Sequence, residues 1–175
     1  MTHQMQRITN KRNRQVDRYL HRASRRIIDF LIEEGIGTVI IGKNPLWKQE
    51  VNNGRRNNQN FVCIPHARFI DMISYKAALV GIRVEVNEES YTSKASFLDL
   101  DEIPVYDPNH KEQHVFSGKR VGPRQRLYRS KDGCKICADV NGAYNILRKC
   151  RPNAFVDADA KGVAGYVVHP VRLAV

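Results

Sequence analysis

The sequence has little of what an exported or membrane-spanning protein needs. None of its apolar runs approaches the roughly 18 residues that cross a bilayer, and residues 1–14 contain no apolar segment of the kind found in secretory signals. Only 4 of the 175 residues are cysteine and 1 is tryptophan. Without an export signal reduced thiols are the default, so we expect a cytoplasmic protein with no membrane contact and no disulfides.

Acidic residues are also few. The chain has 18 Asp and Glu against 29 Lys and Arg, a net charge of +11, which favours a polyanionic partner, most simply nucleic acid. Residues 1–30 hold eight Lys and Arg against two Asp, residues 84–112 hold two Lys against eight acids, and residues 116–151 hold ten Lys and Arg against two Asp. Either basic block alone is equally well explained as a solvated face. Two blocks around a carboxylate cluster indicate a polyphosphate track that passes a metal site.

Hydrophobic periodicity predicts alternating helices and strands. We expect helices at residues 13–34, 65–81 and 139–149, and strands at residues 38–41 and 82–86. The first strand is wholly apolar and β-branched, which is typical of a strand buried on both faces of a sheet. The first helix has an apolar face made of Val16, Tyr19, Leu20, Ala23, Ile27, Phe30 and Leu31.

The segments between these elements are less regular. We expect a loop at residues 42–61, an irregular or hairpin insertion at 90–133, and a tail at 151–175 whose clearest strand-like piece is 165–168. The order of elements indicates an α/β fold with a sheet covered by helices. Two strands rarely make an independently stable sheet, so we expect part of this sheet to be missing at the front of the chain.

Two groups of polar side chains are candidates for chemistry. Glu88 and Glu89 follow the second strand, and carboxylates at the carboxyl end of a sheet strand are well placed for metal binding or acid–base catalysis. Two solvated glutamates in a turn are the simpler alternative. Asp139 lies at the expected start of a helix, where it can act as a cap, and Asn141 and Asn145 share one face of that helix. Capping and metal ligation are compatible.

A zinc site is a second candidate. Cys134 and Cys137 form one CxxC pair, and a structural zinc site needs four ligands. His110 and His114 would complete the set. The remaining cysteines, Cys63 and Cys150, lie outside any ligand pattern and are expected to be core or surface thiols.

Cations beside aromatic or hydroxyl side chains are candidates for nucleic-acid binding. Trp47 stands between Lys43 and Lys48 in the first loop, where it can stack on a base or anchor the loop on the core. Lys94 follows hydroxyl residues, and Lys119 follows a Ser-Gly pair, a composition that fits phosphate contacts and solvated hairpins equally well. The full candidate set is Lys43, Trp47, Lys48, Lys94, Lys119, Arg120, Arg126 and Arg129.

Several of these segments together resemble the C-terminal half of the TnpB (OrfB) family, which bacterial insertion sequences encode. The resemblance runs from about residue 12 to about residue 170. It rests on YTSKASFLD at 91–99, FSGKR at 116–120, LYR at 127–129 and ADVNGAYNIL at 138–147, while residues 40–49 fit one subgroup of the family.

The resemblance implies a RuvC-like nuclease domain of the RNase H-like fold. Its core would comprise residues 13–90 and 134–150, with the insertion at 91–133 in the place of the family's zinc ribbon and the tail at 151–175. Full-length members are RNA-guided DNA endonucleases in which three carboxylates hold two Mg²⁺ ions. The resemblance therefore implies magnesium as cofactor, and DNA and a guide RNA as partners.

By motif, Asp139 matches the last of the three carboxylates. Most members place the middle glutamate where this chain has Gly42 and Lys43, so Glu89 or Glu88 is the expected replacement. We expect Asp139 and Glu89 to be the magnesium ligands, with Asp139, Glu89 and Glu88 as the candidate catalytic residues.

The sequence departs from the family at two points. It has no Asp-Leu-Gly-type motif for the first carboxylate, so we expect a core that is incomplete at its N-terminus and does not cleave DNA alone, with an upstream fragment in trans as a candidate for the missing part. Residues 93–96 carry no cysteine in the place of the first CxxC pair, so the zinc ribbon is expected to be degenerate. The alternatives are a non-catalytic DNA- or RNA-binding protein and a small zinc-binding adaptor.

Overall fold

The computed structural model describes residues 2–44, 65–107, 109, 113–122, 126–155 and 170–174. The helices are α1 (His3–Glu33), α2 (His66–Leu79) and α3 (Ala138–Cys150). The strands are β1 (Thr38–Gly42), β2 (Arg83–Asn87), β3 (Lys119–Val121), β4 (Leu127–Arg129) and β5 (Lys135–Cys137). The predicted α/β class is confirmed. Residues 45–61 of the predicted loop and the strand-like piece at 165–168 lie outside the described residues.

Helix α1 begins earlier than the sequence pattern predicts. The hydroxyl of Thr2 accepts a hydrogen bond from the backbone N–H of Met5 at 3.3 Å and caps the first turn. Residues 4–12 are mostly polar but contain neither glycine nor proline, so nothing stops the helix there. It ends before Gly35, whose φ of +64° suits a residue without a Cβ. Across the described ranges, every helix is too short or too polar to cross a membrane.

The chain divides into two compact units, and the boundary passes through both β1 and β2. The first unit contains α1 and α2, which bury apolar side chains between them. Within α1 the predicted apolar face is partly wrong, because Tyr19 is 59% exposed while Ile28 is fully buried. Helical spacing from Leu20 passes through Ile28 and turns Tyr19 outward. The core residues of this unit are Leu20, Ala23, Ile28, Leu31, Met72, Ile73, Ala77 and Ile82.

Strands β1 and β2 pair with each other. The N–H of Arg83 donates to the carbonyl of Gly37 at 2.9 Å, and the N–H of Lys43 donates to the carbonyl of Asn87 at 2.8 Å. Sequence numbers rise together along the two strands, so the pair is parallel. Both predicted strands are confirmed. Strand β1 is only half-buried, not covered on both faces, since within the described ranges β2 is its sole neighbour in the sheet.

The second unit contains an antiparallel sheet, in the order β3-β4-β5, and helix α3. Each of these strands has three residues, which is too short for a sequence alternation to be recognised, so the insertion was predicted only as irregular or hairpin-like. Its core consists of Phe97, Tyr128, Ile136 and Ala138, with Leu98, Tyr144 and Phe155 packed against them. This core therefore joins the segment around residue 97, the sheet and α3.

Candidate nucleic-acid interface and acidic site

The two glutamates that follow β2 have different surroundings, and Glu88 is part of a polar cluster. Its carboxylate forms an ion pair with Lys149 of α3 and accepts a hydrogen bond from the N–H of Ser90. Burial by itself would raise the pKa of Glu88, but the hydrogen bonds from Lys149 and Ser90 outweigh it and lower that pKa. Lys149 also donates to the carbonyl of Pro104 at 3.1 Å. Glu88 therefore helps to attach α3 to the chain that follows β2.

Glu89 lies against the end of β1. A Cβ built on Gly42 would be 2.5 Å from Oε2 and 2.9 Å from Cβ of Glu89, and 2.7 Å from Cδ1 of Ile146. The Glu89 side chain thus fills space that only a glycine at position 42 leaves open. Burial, followed by the charge of Glu88, raises the pKa of Glu89. A half-buried carboxyl group with a raised pKa is typical of functional positions.

Asp139 lies in the first turn of α3. Its carboxylate pairs with the guanidinium of Arg126, and the N–H of Ala138 donates to the carbonyl of Arg126 at 2.7 Å. The Arg126 side chain is 73% exposed and that of Asp139 is 44% exposed, so this ion pair contributes only about 0–1 kcal/mol and is easily exchanged. The capping role considered for Asp139 is wrong, because the cap position is held by Cys137, which makes no side-chain cap hydrogen bond.

Helix α3 relates the three carboxylates to one another. Ile146, which borders the same space as Glu89, lies two turns after Asp139 on the same face of the helix. Lys149, the partner of Glu88, lies almost three turns after Asp139. At about 1.5 Å per residue these separations along the helix axis are about 10 Å and about 15 Å. Along the helix axis, Ile146, which borders the same space as Glu89, is therefore nearer to Asp139 than Lys149, the partner of Glu88, is.

The described residues do not fit the two-ion magnesium centre that the resemblance implies. Within the described ranges there is no group of three or more His, Cys, Asp or Glu that could hold a metal ion. Glu88 is engaged with Lys149, and Asp139 is engaged with Arg126. Magnesium ligation by Asp139 and Glu89 stays a prediction.

Exposed cations of the second unit line three adjoining concave surfaces. One of about 410 Å³ includes Lys94, Lys119 and Arg120. Another of about 520 Å³ includes Arg120, Arg126 and Asp139, and a third of about 570 Å³ includes Lys119, Arg129, Lys131 and Asp132. Since Lys119 and Arg120 each belong to two of them, the surfaces are continuous. We call the five of these cations that the sequence predicts to bind nucleic acid, Lys94, Lys119, Arg120, Arg126 and Arg129, the basic surface.

The other predicted nucleic-acid-binding residues belong to the first loop. Lys43 is exposed directly after β1, and its backbone N–H is bonded to Asn87. Trp47 and Lys48 lie outside the described residues. The basic surface therefore unites five of the eight predicted binding residues.

The predicted zinc ligands are dispersed where the structure describes them. Cys134 is exposed and Cys137 is buried. The imidazole of His114 packs edge-on against the ring of Tyr91, with 4.8 Å between ring centroids. These three do not form a metal-binding group in the described part of the chain, and His110 lies outside it. The zinc site stays a prediction; of the other two cysteines, Cys150 is a half-buried thiol and Cys63 lies outside the described residues.

Two buried amides have a structural role that sequence reasoning missed. Asn141 accepts a hydrogen bond from the N–H of Phe97 at 2.9 Å and donates to the carbonyl of Ala95 at 2.8 Å. Asn145 donates to the carbonyls of Thr92 and Ala95 at 2.9 and 2.8 Å. The i, i+4 spacing thus marks a polar face that is turned inward and attaches α3 to residues 92–97, the segment that carries Lys94.

Carboxylates stabilise the predicted insertion at residues 91–133. Asp99 accepts hydrogen bonds from the hydroxyl of Ser96 at 2.6 Å and the N–H of Lys131 at 3.1 Å. Asp101 accepts from the N–H groups of Ser96 at 2.8 Å and Ser117 at 3.0 Å. These bonds connect three separate stretches of the insertion. The Ser-x-x-Asp spacing at residues 96–99 is a turn signal that would have predicted part of this network.

Comparison with known proteins agrees with this arrangement. Residues 66–146 match the family described as Cas12f1-like, TNB domain. The fold is similar to a solved structure titled "Cryo-EM structure of the Cas12f1-sgRNA-target DNA complex", with a TM-score of 0.57 and 21% sequence identity, covering 82% of this chain and 36% of that one. The chain thus spans about a third of that protein's length. No curated protein matches the sequence significantly.

The class that emerges is an α/β protein with small sheets that resembles the Cas12f1 fold. Residues 66–146 are similar to a Cas12f1-like TNB domain, and the fold is similar to that of Cas12f1. Both comparisons support the TnpB-like relationship that the sequence motifs predict.

Proposed function

We propose that this chain is a nucleic-acid-binding protein of the TnpB-like, RNA-guided nuclease family, with a RuvC-like core of the RNase H-like type. The observation that carries the proposal is the basic surface, which runs continuously past Asp139. A row of exposed cations with few carboxylates attracts phosphates along a strand. The matched solved structure contains a guide RNA and target DNA, and both are the partners that we propose for this chain.

We further propose that the chain alone binds DNA without cleaving it. Asp139 and Glu89 supply two carboxylates, and the sequence has no Asp-Leu-Gly-type motif to supply the third. Loss of one metal ligand from a catalytic centre should lower the cleavage rate by orders of magnitude. Each tenfold decrease in rate corresponds to about 1.36 kcal/mol of activation free energy. A separate polypeptide that carries an Asp-Leu-Gly-type motif would supply the missing carboxylate in trans.

Binding and its salt dependence test the first part of the proposal. Affinity for a short single-stranded oligonucleotide should fall steeply as salt rises, because each cation–phosphate contact releases counterions. Arg120→Gln should reduce the slope of log K against log salt by about 0.7, the contribution of one contact. Arg22→Gln is the matched control, since Arg22 is an exposed cation of α1 in the first unit and lines none of the three surfaces. Absence of binding at low salt would reject the proposal.

Cleavage assays test the second part. Supercoiled plasmid incubated with the purified chain and Mg²⁺ or Mn²⁺ should stay intact. Metal-dependent nicking that disappears in Asp139→Ala would show that the two carboxylates suffice, and the proposal of an inactive chain would be wrong. Metal analysis of the same preparation decides the zinc-binding adaptor: stoichiometric zinc that is lost in Cys137→Ser would favour it.

A further inference from the structure

An aromatic cluster borders the basic surface in the second unit. The ring of Tyr91 meets His114 edge-on, with 4.8 Å between centroids, and Phe116 at 6.3 Å. The ammonium of Lys94 lies 5.6 Å from the centroid of the Tyr91 ring, within range of a cation–π contact. Tyr91 has a φ of +61°, a left-handed conformation that is uncommon for a residue with a Cβ. The N–H groups of Lys94 and Ala95 both donate to its carbonyl at 2.9 Å and hold it there.

Phe116 belongs both to this cluster and to the cavity of about 410 Å³ on the basic surface. Lys94, Lys119 and Arg120 also line that cavity, and none of its described lining residues is acidic. One wall is fixed, because the Tyr128 ring is 1% exposed and its hydroxyl donates to the carbonyl of Lys94 at 2.7 Å. The cavity therefore presents a half-buried aromatic ring beside three exposed cations.

This combination matches the chemistry of an unpaired nucleotide. A single strand exposes the π-faces of its bases next to its phosphates, whereas a duplex hides those faces in the base stack. Proteins that bind single strands combine aromatic rings for the bases with cations for the backbone. The volume of the cavity also lies in the range of small-molecule sites, which suits one nucleotide.

We propose that Phe116 stacks on an unpaired base of a single-stranded nucleic acid, while Lys94, Lys119 and Arg120 bind the neighbouring phosphates. Tyr91 and His114 pack beside the Phe116 ring, with 6.3 and 6.4 Å between ring centroids. The inference rests on the proposed nucleic-acid binding and adds the strand form and the base-contacting side chain.

The test separates stacking from charge. Fluorescence anisotropy measures the affinity of the full chain for short single strands of DNA and of RNA and for a duplex of equal length, each over a salt series. Phe116→Ala should weaken single-strand binding about tenfold, in keeping with the loss of one base stack, and leave the salt slope unchanged. Lys119→Ala should instead reduce the slope by about 0.7. Duplex affinity should be unaffected by Phe116→Ala.

Two further variants control for structure. Val115→Ala changes the adjacent residue, which is 94% exposed and does not line this cavity, and should bind as the parent chain does. Phe116→Trp keeps an aromatic face and should retain single-strand affinity, and it guards against loss of folding in Phe116→Ala. A 2-aminopurine base in the strand should be quenched on binding to the parent chain and to Phe116→Trp, and less so by Phe116→Ala.

The outcomes are distinguishable. Binding that persists equally in Phe116→Ala, with unchanged 2-aminopurine quenching, would overturn the stacking inference while leaving the proposed function intact. Loss of all binding at low salt in the parent chain would overturn both. A larger effect of Phe116→Ala on the RNA strand than on the DNA strand would identify RNA as the occupant, and the reverse would identify DNA.

Discussion

The side chain of Glu89 occupies the space above Gly42 that any larger residue at position 42 would need, since a Cβ there would lie 2.5 Å from the glutamate's Oε2. The glutamate follows the neighbouring strand β2, and its carboxylate reaches the end of β1. The residues are therefore complementary, because Gly42 leaves open the space that the Glu89 side chain fills.

Gly42→Ala should destabilise the protein by about 1–3 kcal/mol, the usual cost of overpacking a filled site. Rotation of the glutamate cannot relieve the contact, because the Cβ of Glu89 itself would lie 2.9 Å from the new methyl group. The free energy of unfolding in urea measures the effect. Gly142→Ala is the matched control: nothing lies within 4 Å of a Cβ built at this helical position, and alanine there should add about 0.5–1 kcal/mol of stability.

The sequence pattern predicts the parts of the fold that depend on local order, and these are β1, β2, α2 and α3. It misses β3, β4 and β5 because three-residue strands carry no recognisable alternation, and it misses the start of α1 because those turns are mostly polar. The different surroundings of Glu88 and Glu89 could not be predicted from adjacent letters, because Lys149, which engages the Glu88 carboxylate, lies 61 positions away along the chain. Which of the two glutamates is a metal ligand stays a prediction.

Glu88→Gln should lower stability at neutral pH by about 1–3 kcal/mol, the value of hydrogen bonds to a charged group. The pKa of Glu88 is lower in the folded protein than its ordinary value of 4.5, so the stabilisation is present above pH 4.5 and is lost as the pH falls through the folded-state pKa. Urea unfolding at a series of pH values should show the difference between parent and variant shrinking in acid.

A matched control for Glu88→Gln is Glu33→Gln. Glu33 also forms an ion pair, with Arg26 at 3.2 Å, but the two side chains are 58% and 38% exposed. Its removal should change stability by no more than about 0.5 kcal/mol. Equal losses in the two variants would contradict the structural role assigned to Glu88.

Glu89→Gln should have the opposite effect to Glu88→Gln and stabilise the protein at neutral pH. Burial and the charge of Glu88 raise the pKa of Glu89 above 4.5 in the folded state, so its ionisation costs stability as the pH rises past 4.5. The variant carries no such charge, and its advantage over the parent should disappear in acid. Thermal midpoints at neutral and acidic pH check this, and a variant less stable than the parent at neutral pH would show that the Glu89 carboxylate is a structural group.

Asn141→Ala should lower the free energy of unfolding by roughly 2–4 kcal/mol. The substitution leaves the buried N–H of Phe97 without its partner and opens a cavity, because Asn141 is 0% exposed. Asn141→Asp keeps the acceptor for that N–H but loses the donor to Ala95 and buries a negative charge. It should therefore be less stable than Asn141→Ala at neutral pH and recover part of the loss in acid. Asn10→Ala is the control, because Asn10 is exposed within α1, and its free energy of unfolding should be within about 0.5 kcal/mol of that of the parent chain.

The salt dependence of binding distinguishes Asn141, which stabilises the unit, from the cations that contact phosphates. Since Asn141 fixes residues 95–97 next to Lys94, Asn141→Ala should weaken single-strand binding without changing the number of cations on the basic surface. Its salt slope should then equal that of the parent chain, whereas substitution of a cation on the surface reduces the slope. A reduced slope in Asn141→Ala would mean that Lys94 has left the surface, and that the inward-facing amide controls how many phosphates are bound as well as the stability of the unit.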